Sequence, residues 1–216
     1  MFDLFKRYVD EGYMKLSDEG FWFGKERMIF YYTTFNAREL MLNSKFGGSR
    51  YLATKFIVSR KEGQLLMQQH GAQDMSALAN LIDSLIKIIN LLGIGKLRIV
   101  ESDSKSGFAV LSGTSNAALE RKAESPSDAP VDFVIGGLIA GTVSYYTKRK
   151  AYAAETKCVA QNGVEECTWV VGNKDDILNY IKDSAPGKTE AAQKTIEDIE
   201  AAENEIGSRQ SLNGII

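Results

Sequence analysis

Three glycines within six residues constrain this chain more than any other feature. Gly136, Gly137 and Gly141 interrupt the apolar run VDFVIGGLIAGTVSYY, residues 131–146, where Phe133, Leu138, Ile139 and Tyr145 surround them. A glycine inside a helix costs about 1 kcal/mol relative to alanine. Three of them need a physical reason. Either a second backbone approaches where a Cβ would stand, or the helix leaves room for a ligand. Residues 131–146 therefore predict a small-residue helix that borders a close crossing or a cavity.

A hairpin follows. Asn162-Gly163 is the strongest short-range hairpin signal and predicts a two-residue type I′ turn. In that register Gln161 faces Val164 and Cys158 faces Cys167. The cysteines form a non-hydrogen-bonded pair, with Cα atoms about 4.5 Å apart. Such thiols can share a metal, remain free, or form a cross-strand disulfide, which tolerates Cα separations from about 4.4 Å. Glu155 lies three residues before Cys158, and strict alternation sends its side chain to the other face. Only a bulge or a strand end brings it to the thiols. Glu165 shares the face of Cys167 and competes for the same place.

Composition bounds what these features serve. At 216 residues with 44% hydrophobic and 25% charged, the chain is an ordinary globular protein of one elaborated domain or two. Its net charge of −2 argues against a general nucleic-acid surface. The start, MFDLFKRYVDEGYMKL, lacks the pattern of a secretory leader. The most apolar windows are 78–94, which contains Asp83 and Lys87, and 133–143, which is too short to span a bilayer. The expectation is a cytoplasmic protein with no stable membrane insertion. Cysteines in such a protein are more often reduced, metal-bound or buried than disulfide-bonded.

The rest of the chain supplies elements. Phe2, Phe5, Tyr8 and Val9 have helical spacing. Short aromatic strands at 13–16, 21–23 and 28–33 read as a meander, whose aromatics are expected to pack. Asn36 can cap a helix to Leu42, and a longer helix runs over 49–69, with Gly63 as a kink or close-packing point. His70 sits at its end, where a cation opposes the helix dipole. Residues 77–92 form a helix apolar on more than one face. Strands at 96–101 and 108–111 flank a loop at 103–107. Residues 114–130 read as a polar surface excursion. A short helix covers 174–183, and 188–206 reads as an exposed helix.

At residues 133–171 the chain resembles the 4-vinyl reductase domain, also called the hydrocarbon-binding domain. That family is distantly related to the transport-tethering particle subunits and to nitric-oxide-sensing haem domains. The matching features are the Gly137–Gly141 helix, Glu155-x-x-Cys158, and Cys167 followed by Trp169, Val170 and Val171. The resemblance implies an α+β fold, an antiparallel sheet packed by helices around an apolar cavity. On this basis residues 1–183 form the ligand-binding domain and 184–216 an exposed helical tail. In sensor members a glutamate and cysteines of this hairpin bind zinc with a further cysteine from the preceding helix. By position Glu155, Cys158 and Cys167 match, and Asp132 stands at the helix position. The implied cofactor is zinc, with Asp132, Glu155, Cys158 and Cys167 as ligands.

Three functions compete. The leading one is binding or sensing of a hydrophobic small molecule, in a cavity walled by Phe56, Leu85, Ile89, Phe108, Leu138 and Tyr145. The second is a homodimeric scaffold like the tethering subunits. The third, an enzyme, has least support: one histidine, no nucleotide motif and no acid–base pair. The chain is therefore read as a binding protein that does not catalyse a reaction.

Overall fold

In the computed structural model the described residues are 14–17, 20–23, 26–28, 48–70, 77–91, 93–127 and 129–213. The helices expected at 2–9 and 36–42 and the aromatic residues Phe30, Tyr31 and Tyr32 lie outside them. His70 ends a helix, but its side chain is also outside the description. The expected meander is present as β1 (Met14–Ser17), β2 (Gly20–Phe23) and β3 (Glu26–Met28), paired antiparallel in that order.

The main body is one antiparallel sheet and its helices. In chain order it comprises α1 (Gly48–His70), α2 (Leu78–Leu91), β4 (Gly95–Asp103), β5 (Phe108–Ser115) and α3 (Asn116–Glu124). There follow α4 (Phe133–Thr147), β6 (Tyr152–Lys157), β7 (Cys167–Gly172), α5 (Lys174–Ser184) and α6 (Thr189–Asn213). The strand order is β4-β5-β7-β6. This is the α+β architecture expected.

Local chemistry sets the boundaries. Asp103 accepts from the backbone N–H of Lys105 and Ser106 and closes the β4–β5 loop. Side-chain caps start three helices: Ser115 accepts from Ala118 N–H, Asp132 from Ile135 N–H and Asn173 from Asp176 N–H. Residues 116–124, expected as part of a polar excursion, thus form a capped helix instead.

The glycines of α4 separate into two roles. A Cβ on Gly137 would stand 2.6 Å from the Phe56 carbonyl oxygen, and one on Gly141 would stand 2.2 Å from that of Arg60. Gly63 reciprocates from α1, where a Cβ would meet the Leu138 carbonyl oxygen at 2.3 Å. Contacts advance together along both helices, so α1 and α4 run in the same direction, backbone against backbone. Gly136 differs. Its Cβ would meet Ala153 at 3.4 Å and Trp169 at 3.6 Å, ordinary contact distances.

The core fills the space between this helix pair and the sheet with Phe56, Leu78, Ile82, Leu85, Ile89, Leu111, Ile135, Ile139 and Trp169. The C-terminal helix is formed but is not an exposed tail. Ile196 and Ile199 of α6 are completely buried, and the helix packs on α1, β6 and α5. Its isoleucines need an apolar partner, and the chain's own body provides it.

Candidate functional site

The cluster begins with a bulge. Glu155 pairs with Trp169, but the next paired residues are Lys157 and Thr168, so the register shifts at Thr156. A bulge adds an unpaired residue and bends the strand. This is the condition that places Glu155 with the cysteines. One ligand atom each from Glu155, Cys158 and Cys167 lies within 4.8 Å of the others. Extending the shifted register by one step sets Cys158 beside Cys167, the pair given by counting back from Asn162-Gly163.

The turn itself differs from expectation. Gly163 has φ of 73°, and Val164 N–H donates to the Gln161 carbonyl at 3.4 Å. Lys148 is the only non-glycine with positive φ among the described residues. Asn162 therefore lacks the positive φ that a type I′ turn requires at both central positions. The strands also stop short, at Lys157 and Cys167, because the backbone after Cys158 turns inward. Gln161 N–H donates to the Cys158 carbonyl, and Val159 N–H donates to Cys167 Sγ at 3.2 Å.

Both cysteines are buried free thiols. The Ala160 and Val131 amides donate to the Cys158 sulfur, as Val159 does to that of Cys167. N–H donors aimed at sulfur stabilise negative charge there. The hydrogen bond from Cys167 is the main cause that brings Cys158 down to about 7. The same bond, with burial, pushes the Cys167 thiol up. Burial, then Cys158 and Asp132, push the Glu155 carboxyl well above the usual carboxylate range. Its Oε2 accepts from the Asp132 backbone N–H at 3.0 Å, while buried Oε1 has no hydrogen-bond partner.

That orphaned oxygen tests the fit for a metal. A buried carboxylate oxygen without a partner is costly, and a cation between it and two thiolates would satisfy it. Two sulfurs and one oxygen are a donor set that zinc accepts. Asp132 does not complete the set. Its carboxylate caps α4, accepting from Ile135 N–H at 2.9 Å, and is also hydrogen-bonded to Ser115. The residue at the expected ligand position thus begins the helix, and its backbone, not its carboxylate, touches the cluster. Glu165 is exposed and takes no part.

Next to the cluster lies a pocket of about 260 Å³. Leu52, Phe56, Phe133, Gly136, Trp169 and Ala192 provide apolar wall, with Glu155 and Asp132 at its edge and Lys188 and Thr195 reaching it from the C-terminal segment. Of the expected wall residues only Phe56 lines it. Tyr145 lines a separate open cleft. Leu85, Ile89, Phe108 and Leu138 are core residues and line neither space. Packing against β4 and α4 fills the apolar faces of α2, so the space opens on the side of α1 and α6. Sequence reasoning missed Trp169, Phe133 and the helix that roofs the pocket. A signal existed in the facing small residues: Gly136, Ala153, Ala154, Ala191 and Ala192 all line it.

No protein-family model matches the chain, and no curated protein matches it in sequence. Among solved structures it is similar to the phenol-responsive sensory domain of the transcription activator PoxR with phenol. The TM-score is 0.64 at 16% identity, covering 85% of this chain and 92% of that one. A vinyl-4-reductase family protein from Methanocaldococcus jannaschii aligns at TM-score 0.43 and 17% identity, over 68% of this chain and 83% of its own. The fold resemblance drawn from residues 133–171 is supported by structure.

Proposed function

We propose that this chain is a sensory or carrier domain that binds a mainly apolar single-ring compound in the pocket between α1, α4, β6 and α6. The observation that carries this reading is the pocket: aromatic walls at Phe56, Phe133 and Trp169, with polar groups a minority of its lining. A dry cavity of about 150 Å³ accepts benzene, so about 260 Å³ suits a substituted ring. Likeness in fold to a domain that responds to phenol supports the same class of ligand. The Trp169 indole N–H donates to the Asp132 carbonyl at 3.4 Å, so Thr195, Lys188 or Glu155 is left to meet a ring substituent. The role is binding without turnover.

Glu155, Cys158 and Cys167 would hold a structural zinc beside this pocket. When bound, zinc supplies positive charge that keeps both thiolates and the carboxylate ionised. The residues themselves fasten the end of β6 to the start of β7 and fix the pocket edge at Glu155.

The test uses phenol and toluene as probes. Gly136→Val should leave the fold intact by circular dichroism, because the glycine's nearest neighbours are the side chains of Ala153, Trp169 and Phe56 rather than backbone. It should fill the pocket and abolish calorimetric binding. Unchanged affinity in this variant would remove the pocket as the site. For the metal, Cys158→Ser should lower zinc per chain by elemental analysis; an unchanged content would remove Cys158 as a ligand.

A further inference from the structure

At the other end of α4 the chain carries a second, chemically opposite space. An open cleft of about 700 Å³ lies between α1 and the C-terminal end of α4. Arg60 and Lys61 line it from α1, and Lys148, Arg149 and Lys150 from the helix end. No carboxylate is among its lining residues. Glu203 of α6 is shared between Arg60 and Lys150. Lys61, Lys148 and Arg149 have no carboxylate partner among the described residues. Five cations against the shared Glu203, with Glu200 acting on Lys150 alone among them, concentrate positive charge, although the whole chain has net charge −2.

Helix capping does not explain all of this. Cations at 148–150 oppose the negative end of the α4 dipole, but Arg60 and Lys61 project from the middle of α1. Lys148 also takes a left-handed φ of 57°, where helices usually place glycine. That conformation sets its ammonium 3.9 Å from the Tyr145 ring centre at the cleft wall. Burial, and then the neighbouring Arg60, lower Lys150 from its ordinary value, as expected where positive charge is crowded.

From this cleft we infer that the chain has a second binding site, for a small phosphate-bearing polyanion of di- or triphosphate size. Concavity favours a small molecule over a nucleic-acid backbone, and the volume lies within the range of small-ligand sites. The exposed Arg149 guanidinium suits phosphate oxygens and the lysines add point charge, while Arg60 is held by Glu203 and the Ala151 carbonyl. Gln64 and Gln68 offer amide donors along the same wall.

The experiment is calorimetry on the full chain with inorganic tripolyphosphate. A Lys61→Ala/Arg149→Ala double variant removes exposed side chains that hold no carboxylate, so folding should be preserved. We expect saturable binding to the parent chain and a loss of about tenfold or more in the variant. Phenol binding should be equal in both, which separates this site from the apolar pocket. Equal tripolyphosphate affinity in parent and variant would overturn the proposal. So would an effect reproduced by sodium chloride at matched ionic strength. Two further arms use phosphatidylcholine vesicles containing phosphatidylserine, and a short DNA duplex. Cation-dependent binding to either without tripolyphosphate binding would assign the cleft to a membrane or to DNA and overturn the small-ligand reading.

Discussion

Gly136, Gly137 and Gly141 occupy one helix yet do different work, because each faces a different neighbour. A methyl on Gly141 would stand 2.2 Å from a carbonyl oxygen of α1 and 2.9 Å from the Gln64 nitrogen. Backbone cannot rotate aside as a side chain can, so Gly141→Ala must separate the helices. The expected loss is about 1–3 kcal/mol in urea unfolding. Gly136→Ala should instead be neutral or stabilising by up to about 1 kcal/mol, since alanine favours the helix and its nearest contacts are at ordinary distances. Equal losses at both positions would show that the backbone crossing does not set the cost. The sequence makes the glycine cluster conspicuous but leaves its cause open. Close backbone approach holds at Gly137 and Gly141, whereas Gly136 meets only side chains and lines the pocket. Deciding which applies where requires the direction of α1, and periodicity within a single helix does not contain that.

At the scale of elements, α6 matters most for the pocket. Its Ala191, Ala192 and Thr195 form part of the wall, and Ile196 and Ile199 hold it down. Ile196→Ala should cost about 2–5 kcal/mol by the usual range for buried isoleucine, and phenol binding should weaken with it. Retained stability would mean that α6 is not docked in solution. Polar ties add to the apolar ones. Tyr152 of β6 donates to Glu200 Oε1 at 3.0 Å, and Lys174 of α5 reaches Glu200 Oε2 at 3.1 Å. Burial, and then Glu200, raise Tyr152 to about 12. The folded state therefore holds this proton more tightly than the unfolded chain, whose tyrosine titrates near 10. The stabilisation is complete below about pH 10 and is lost as pH rises towards about 12. Tyr152→Phe should thus be less stable than the parent by about 1 kcal/mol at pH 9, and the gap should narrow above pH 11. A constant gap would exclude the phenol proton as its source. The tail's helical pattern is legible in the sequence, as are its three isoleucines. The burial of Ile196 and Ile199, with Ile206 left exposed, is not, because an amphipathic stripe does not say whether the partner is another chain or its own body.

For the whole molecule, the question is how the cluster and the pocket act together. Glu155 belongs to both, lining the pocket with its side of β6 while its carboxyl joins the two thiols. The Glu155 and cysteine pattern is legible at the sequence level. Its convergence depends on the bulge at Thr156, and strict alternation cannot place a bulge. A zinc ion held by Glu155, Cys158 and Cys167 would keep the carboxyl ionised and would satisfy its orphaned oxygen. Without a cation, burial beside Cys158 and Asp132 favours the protonated acid, hydrogen-bonded to the Cys158 sulfur. Removing the metal should therefore both destabilise the fold and change the polar edge of the pocket. Two states that differ in this way bind a ligand with different strength, and the coupling is reciprocal. At a phenol concentration about a hundred times Kd, binding stabilises the folded state by about 2.7 kcal/mol. The zinc-loaded protein should show that increment as a rise in Tm. After treatment with a chelator, Tm should fall and the phenol-dependent rise should shrink, with both recovering on addition of zinc. If chelation leaves Tm and the phenol shift unchanged, the two thiols and Glu155 form a metal-free hydrogen-bonded cluster. The pocket edge then does not depend on a cation.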